Sequence, residues 1–318
     1  MDTETHDQLN KLQLQLHSYA FEKDERATPP ESALAISYLS AFGYLGKSLN
    51  GWKDVNLGDI VNAIVKFQEF FGVPQTGQLS AQSIRAMEAQ RCGFPDLSFD
   101  NSPEYMKIKV FADTNLPRWQ KNGIVYGVQD YVNTLGKAQQ DQIIDKAFAQ
   151  WMTVCGIQLR RANPGEPADI LISTGQGQRS NFDGPGGVLA WAYMPDGSDQ
   201  PLLMRFDIDE TWTVDPTQRG ILMLNVACHE FGHLLGLDHS RVQGALMAPY
   251  YNAKIAAPQA NDDIPRVVAR YGPPTGLPPL PPLPPVPPVP PPPVPPTGKH
   301  TLIITGVDSV VLDGKQVA

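Results

Sequence analysis

"CHEFGHLLGLDHS", residues Cys228 to Ser240, gathers three of the chain's six histidines into thirteen positions. His229 and His233 are four apart, so on a helix both rings leave one face, with Cβ atoms about 5–6 Å apart. Two imidazoles at that separation can reach one zinc, at about 2.0–2.1 Å each. Glu230 follows the first histidine and stands beside the metal rather than on it, where a general base for a water belongs. Gly236 can take a positive φ, which ends the helix and turns the chain back sharply. His239 then approaches the same ion from the side. Three neutral histidines leave a fourth position open, the mark of a catalytic rather than a structural zinc. Val226, Phe231, Leu234 and Leu235 give the same helix an apolar face that docks on a core.

A second stretch, "QRCGFPD" (Gln90 to Asp96), lies far upstream and carries one of only three cysteines. A thiolate is a soft, strong zinc ligand. Cys92 is therefore a candidate for the fourth position, where it would keep water off the metal. Arg91 and Asp96 can pair to hold that loop in a cleft. Cys155 and Cys228 sit among apolar helix positions and read as buried free thiols. Three cysteines are too few and too scattered for a disulfide framework.

The rest of the 318 residues organises around these two runs. Residues 1–98 read as a small all-helical domain. "LGDIVNAIVKFQEFFGV" sets Ile60, Ile64, Phe67 and Phe71 on one helical stripe that stops at Gly72 and Pro74. Ser80 is an expected N-cap for a short helix carrying Ile84 and Met87. Residues 99–272 mix strands and helices: strands over 106–111, 169–174, 187–193 and 203–207, helices over 141–154 and 262–272. Residues 273–298 are dominated by proline and form a stiff polyproline II spacer, though their PxxP patterns also suit SH3-type domains. Residues 299–318 read as two short strands, too little to fold alone and compatible with a fragment of a further β domain.

Composition excludes several classes. Net charge is −8 with a pI near 5.2. No long basic run offers a nucleic acid or an anionic membrane a footprint. No apolar run approaches the roughly 18 residues of a membrane span. The first twenty residues lack the basic and apolar regions of a signal peptide.

With these motifs in place, the sequence resembles a known family. "HEFGHLLGLDHS" followed by "GALMAPYY" is similar to the metzincin zinc endopeptidases, with their methionine turn. Ser240 points to the matrixins, or matrix metalloproteinases, within that clan. "FQEFFGVPQTGQL" resembles the peptidoglycan-binding-type helical prodomain. "FDGPGGVLAWAY" and "FDIDETW" match catalytic-domain signatures, and "QRCGFPD" resembles the matrixin cysteine switch with glutamine in place of the usual proline. The resemblance implies an α+β metzincin catalytic domain, a twisted mixed sheet with long helices, preceded by the all-α prodomain. It makes Met247 a hydrophobic floor under the ligands, a packing that any buried methionine shares. It places Pro249 and Tyr251 on the wall of a specificity pocket. Leu189 and Ala190 fall on an edge strand that pairs with an extended peptide substrate.

The family also carries calcium and a structural zinc. Asp183, Asp207 and Glu210, with backbone carbonyls near Gly184, Gly186 and Val188, supply the hard oxygen ligands that calcium takes; solvated acidic turns are the alternative. The structural zinc is not expected. Its usual positions fall on Gln176, Gln178, Trp191 and Arg205, and the other histidines, His6, His17 and His300, lie outside the catalytic region.

The expectation is a latent zinc-dependent endopeptidase, monomeric, secreted or at the cell surface. Glu230 is its base, Cys92 silences it, and an activating protease removes roughly residues 1–100. Protein or peptide substrates are its partners, with a cell-wall or matrix glycan as a candidate partner of 1–98. A glycan-binding module carrying an accessory or inactive protease domain is the rival from another class. A degenerate pseudoprotease is disfavoured because all three histidines and Glu230 are present.

Overall fold

The computed structural model describes residues 3–19, 29–46, 54–97, 118–121 and 123–274. The strand expected over 106–111, nearly all of the proline-rich run, the tail 299–318 and His300 lie outside the described residues, as does the side chain of His17. The described residues fall into two compact units, each treated separately below. Residues 3–19, 29–46, 54–89 and 95–97 belong to the first; 90–94, 118–121 and 123–274 belong to the second.

The first unit is helical. Helix α1 (Thr3–Tyr19) buries Leu9, Leu12 and Leu16, a stripe at helical spacing. Helix α2 (Pro29–Ala41) buries Ala35, Ile36, Tyr38 and Leu39. Helix α3 (Leu57–Phe70) opens with a reciprocal cap: Asp59 N–H donates to Asn56 Oδ1 at 3.2 Å, and Asn56 N–H donates to Asp59 Oδ2 at 3.0 Å. It buries Ile60, Ile64 and Phe67, as the stripe predicts, and Phe71 falls just past its end. Helix α4 (Ala81–Met87) starts at Ser80, whose Oγ accepts the Ser83 amide at 3.1 Å.

The second unit is built on a mixed sheet. Its strands are β1 (Arg91–Cys92), β2 (Gly123–Val128), β3 (Gln158–Arg161), β4 (Ile170–Gly175), β5 (Val188–Ala192) and β6 (Leu202–Asp207), in the spatial order β1-β5-β6-β4-β2-β3. Every pairing is parallel except β5 with β6. Helix α5 (Lys137–Met152) follows β2, and strands β7 (Trp212–Thr213) and β8 (Ile221–Leu222) form a small separate pair leading into α6 (Met223–Leu234). Helix α7 (Asp263–Tyr271) closes the unit, with Pro265 in its first turn, where the missing N–H costs nothing. This mixed sheet with its long helices is the α+β arrangement that the sequence resemblance implies.

Strands β2 and β3 have weak sequence signals for physical reasons. Glycines at 123 and 127 interrupt the alternation of Ile124 and Tyr126 in β2. Strand β3, "QLRR", is short and charged, as an exposed sheet edge requires; only Leu159 turns inward and is buried.

Helix α6 is buried on nearly every side, against α5 and the sheet. Phe148 of α5 stacks on Phe231 of α6, with ring centroids 3.6 Å apart and planes within 7°. Burying an aromatic pair of this size fixes the rotation of α6 about its axis, and with it the direction in which His229 and His233 point.

Candidate metal centre

His229 and His233 leave α6 one turn apart. The helix stops at Leu234, and Gly236 takes φ +83°, a conformation that costs glycine little. Gly236 N–H donates to His233 O at 2.7 Å and Leu237 N–H to Gly232 O at 2.9 Å. This reversal returns His239 to the first two rings, with centroid separations of 5.0 Å (His229–His233), 5.3 Å (His229–His239) and 4.9 Å (His233–His239).

Backbone carbonyls set the tautomers. His229 Nδ1 lies 2.7 Å from Leu246 O, and His233 Nδ1 lies 2.7 Å from Leu237 O. A carbonyl only accepts, so each Nδ1 must carry the hydrogen and each Nε2 keeps its lone pair for a metal. Burial, then the neighbouring His239 and His229, hold His233 well below its ordinary pKa, in the neutral form that ligates.

Cys92 enters the same cluster. Its Sγ is 3.4 Å from His233 Nε2 and 3.5 Å from Glu230 Oε2, and it accepts the Phe94 amide at 3.2 Å. One ligand atom from each of Cys92, His229, His233 and His239 lies within 4.8 Å of the others, and all four residues are buried. The donor set, three imidazoles and one thiol, fits zinc. Glu230 is fully buried, and its Oε1 has no hydrogen-bond partner. Burial pushes Glu230 up to about 8; burial, then the charge of Glu230, pushes the Cys92 thiol well above its ordinary value. A dication among these side chains offsets both costs.

Backbone pairing seats the cysteine. Arg91 N–H donates to Gly187 O at 2.8 Å, Gly93 N–H to Ala190 O at 2.8 Å, Cys92 N–H to Pro249 O at 2.9 Å, and Tyr251 N–H to Gln90 O at 2.9 Å. Residues 90–93 are thus clamped between β5 and the segment after Met247. Arg91 is 2% exposed; its Nε donates to Cys92 O at 3.0 Å, and its guanidinium lies 5.6 Å from the Tyr250 ring centroid. Asp96, the other residue of the expected pair, belongs to the helical unit, where it accepts a 2.7 Å hydrogen bond from Tyr44 Oη.

Comparison with known proteins agrees with this geometry. The matrixin family model matches residues 118–272. Interstitial collagenase of Equus caballus is 39% identical over 220 residues, covering 67% of this chain and 43% of the collagenase. Stromelysin-1 of Equus caballus is 34% identical over 271 residues, covering 82% of this chain and 53% of the stromelysin. Matrix metalloproteinase-19 of Mus musculus is 35% identical over 251 residues, 77% of this chain and 45% of that protein.

The chain belongs to the matrixin family.

It spans about half the length of the curated relatives it matches.

Met247, which the resemblance makes the floor under the ligands, is fully buried. A Cβ on Gly232 would lie 2.1 Å from Met247 Sδ and 3.0 Å from the Trp151 ring, so the residue three after His229 has to be glycine. Asp263, at the start of α7, holds the methionine turn: it accepts the amides of Leu246 (2.7 Å), Met247 (3.1 Å) and Gln259 (2.8 Å). Trp119 Nε1 donates to Leu234 O at 2.8 Å and Tyr271 Oη to Leu235 O at 3.0 Å, satisfying carbonyls at the end of α6. Sequence reasoning missed Asp263, Trp119 and Tyr271 in these roles. Their signal is only that of an acidic helix start and two aromatics, and nothing local points them at α6.

Beside the centre, a shallow cleft is lined by Leu189, Val226, Leu246, Pro249 and Tyr251, with Asn225 and Glu230 among its polar groups. Pro249 and Tyr251, the residues of the expected pocket wall, line it together with Leu189 of β5. Ala190 contributes its carbonyl to the Gly93 amide instead. Tyr251 Oη accepts the Leu222 amide at 2.9 Å, which ties the pocket wall to the start of α6.

A second group of acids surrounds the loop between β4 and β5. Val188 N–H donates to Asp183 Oδ1 at 3.0 Å and Gly186 N–H to Glu210 Oε1 at 2.6 Å, while Asp209 N–H donates to Asp207 Oδ1 at 2.9 Å. Asp183 Oδ2 and Asp207 Oδ2 are buried without a hydrogen-bond partner. Gly184 and Gly186 take φ of +88° and +90°. Expected for their carbonyls, Gly186 and Val188 also turn their amides to the acids.

Beside this loop, Trp191 Nε1 of β5 donates to Ser180 O at 2.8 Å, and the guanidinium of Arg205 on β6 lies 5.6 Å from the Trp191 ring centroid. A guanidinium and an indole offer a metal no lone pair.

Proposed function

We propose that this matrixin is the latent form of a zinc-dependent endopeptidase that hydrolyses peptide bonds of extended protein substrates, with Cys92 as the inhibitory ligand. The observation that carries the reading is the convergence of Cys92, His229, His233 and His239 within 4.8 Å. Zinc, when bound there, supplies Lewis-acid polarisation of the scissile carbonyl and makes a water acidic enough to be used near neutral pH. The chain does the rest. Glu230 takes the proton of the attacking water on its carboxylate and passes it to the leaving amine. Strand β5 orients the substrate through the backbone groups that residues 91 and 93 occupy in the latent chain, Gly187 O and Ala190 O. The cleft beside Leu189, Pro249 and Tyr251 receives one apolar substrate side chain.

Activation requires the segment 90–93 to leave β5, and a protease that cuts the chain near residue 100 is the partner this needs. A location outside the cell or at its surface is part of this proposal and is supported by the family resemblance; among the described residues no helix is long and apolar enough to cross a membrane.

Calcium is the proposed ion of the β4–β5 loop, held by Asp183, Asp207 and Glu210 with carbonyls near Gly184, Gly186 and Val188. The buried, unpartnered carboxylate oxygens of Asp183 and Asp207 support it. The structural zinc of the family does not fit Gln176, Gln178, Trp191 and Arg205, so one zinc per chain is proposed.

The deciding experiment activates the zinc-loaded full chain by limited proteolysis and follows cleavage of a peptide library, with and without chelator. Glu230→Ala, which removes the base, is expected to lower the rate by about 10²–10⁴-fold. Cleavage that survives both the chelator and Glu230→Ala rules the reading out.

A further inference from the structure

Phe94 meets the histidines with a side chain that cannot ligate. Its ring stacks on His233, with centroids 4.3 Å apart and planes at 27°, and meets His239 edge-on at 5.8 Å and 88°. It is 5% exposed. Its amide is the group that donates to Cys92 Sγ. The backbone leading to it has no slack. Gly93 donates to Ala190 O, and a Cβ on Gly93 would lie 2.7 Å from Val188 Cγ1. The position of the ring is therefore set by the same pairing that seats the thiol, and the ring cannot stay on the histidines if the thiol leaves.

We propose that Phe94 is a positioning residue of the latent state: its ring clamps the imidazoles of His233 and His239 and holds Cys92 in the centre. This rests on the reading of Cys92 as the inhibitory ligand and adds a second, aromatic contact to it. The two ring contacts are of the kind that contribute measurably beyond area burial. They also cover the histidines on the side of the segment, where His233 is fully buried and His239 nearly so. The glutamine at position 90, where the switch motif usually has proline, leaves that end of the segment without a fixed φ; the ring supplies rigidity at the other end.

The test is the native alkylation rate of Cys92 by iodoacetamide in the zinc-loaded full chain, read peptide by peptide. Cys155 and Cys228, both 0% exposed, report any general loosening. Phe94→Leu, which keeps apolar bulk and removes the ring, is expected to speed Cys92 alkylation by roughly three- to tenfold. Phe94→Tyr, which keeps the ring, is expected to hold the parent rate. In the cobalt-loaded chain, Phe94→Leu should retain the sulfur-to-metal charge-transfer band, because the thiol still binds. Equal rates in the parent and Phe94→Leu, with the band present in both, overturn the clamp alone. Cys155 and Cys228 reacting faster in step with Cys92 also overturn it, because the ring then only supports the fold. A parent chain without the band, whose Cys92 reacts like a free thiol, overturns the cysteine reading and the clamp with it.

Discussion

The indole Nε1 of Trp151 donates a 2.9 Å hydrogen bond to the carbonyl of Cys228, the residue immediately before the first metal-side histidine. Trp151 is fully buried on α5, and its ring also limits the space above Gly232. One side chain on a neighbouring helix thus fixes the height of α6 at the turn that carries both His229 and His233. Trp151→Phe removes the donor and part of the ring. It is expected to cost about 1–3 kcal/mol of stability and to weaken zinc binding, because the ligands lose their common reference. Denaturant unfolding and a competitive zinc titration check the two effects. Unchanged zinc affinity in a destabilised variant would limit Trp151 to the core.

Gly232 and Met247 make a coupled pair. The added methyl of Gly232→Ala meets Met247 Sδ at 2.1 Å, inside any allowed contact. Overpacking of this kind costs about 1–3 kcal/mol. Truncating the partner in Gly232→Ala/Met247→Ala opens the space. The double variant is therefore expected to be less destabilised than the sum of the single changes. Additive unfolding energies in that cycle would show that the two positions do not interact.

The metal-side residues were legible because their chemistry is local. The spacing of His229, His233 and His239, the glycine turn at 236 and the helix stop at 234 all lie within one short run, and helical geometry alone brings the first two rings together. The cap at Ser80 and the stripe of Ile60, Ile64 and Phe67 were readable for the same reason. What sequence could not supply is long-range. Asp263 holds the methionine turn from sixteen and seventeen residues away, and Trp119 reaches Leu234 across 115 positions. Nothing local in "QRCGFPD" points the Phe94 ring at His233, 139 positions on. Strands β2 and β3 were obscured by glycine and by charge, since neither carries a clean apolar alternation.

The acids of the β4–β5 loop give a pH-dependent prediction. Burial pushes Asp183 up to about 8, and Asp207 and Glu210 each up to about 7; negative charge adds to it, from Asp207 and Glu210 on Asp183, from Asp209 on Asp207, and from Asp207 and Asp209 on Glu210. Ordinary carboxylates titrate near pH 4. Between about pH 4 and about pH 8 the calcium-free folded chain therefore holds more protons than the unfolded chain, and these groups make it less stable as pH rises. Calcium competes with those protons, so its stabilisation should be small at pH 5 and large at pH 8. Melting curves with calcium and with chelator at both pH values test this. A calcium increment in Tm that is equal at pH 5 and pH 8 contradicts it.

A single zinc per chain is the expected departure from the usual family pattern. Gln176 and Gln178 offer only neutral amides, Trp191 is committed to Ser180 O, and Arg205 brings a fixed positive charge to the same loop. Elemental analysis of the dialysed full chain should return one zinc per molecule. Two tightly held zincs would require a ligand set that these side chains cannot form.

The last prediction concerns the fourth ligand. Cys92 Sγ lies 3.4 Å from His233 Nε2 and 3.5 Å from Glu230 Oε2, so in the uncut chain it stands between the base and any water that Glu230 could activate. Cys92→Ser keeps the backbone pairing of 91–93 and replaces a soft, acidifiable donor with a hydroxyl that zinc binds weakly. The segment should then hold the site closed through Arg91, Gly93, the Pro249 carbonyl and the Phe94 ring without a thiol on the metal, and it should open often enough for peptide cleavage without proteolytic trimming. Activity of the uncut Cys92→Ser chain should exceed that of the uncut parent by at least about tenfold, the equivalent of about 1.4 kcal/mol of lost hold. If the variant is as silent as the parent, while both become active after trimming, then the segment blocks by bulk and backbone pairing rather than by its thiol.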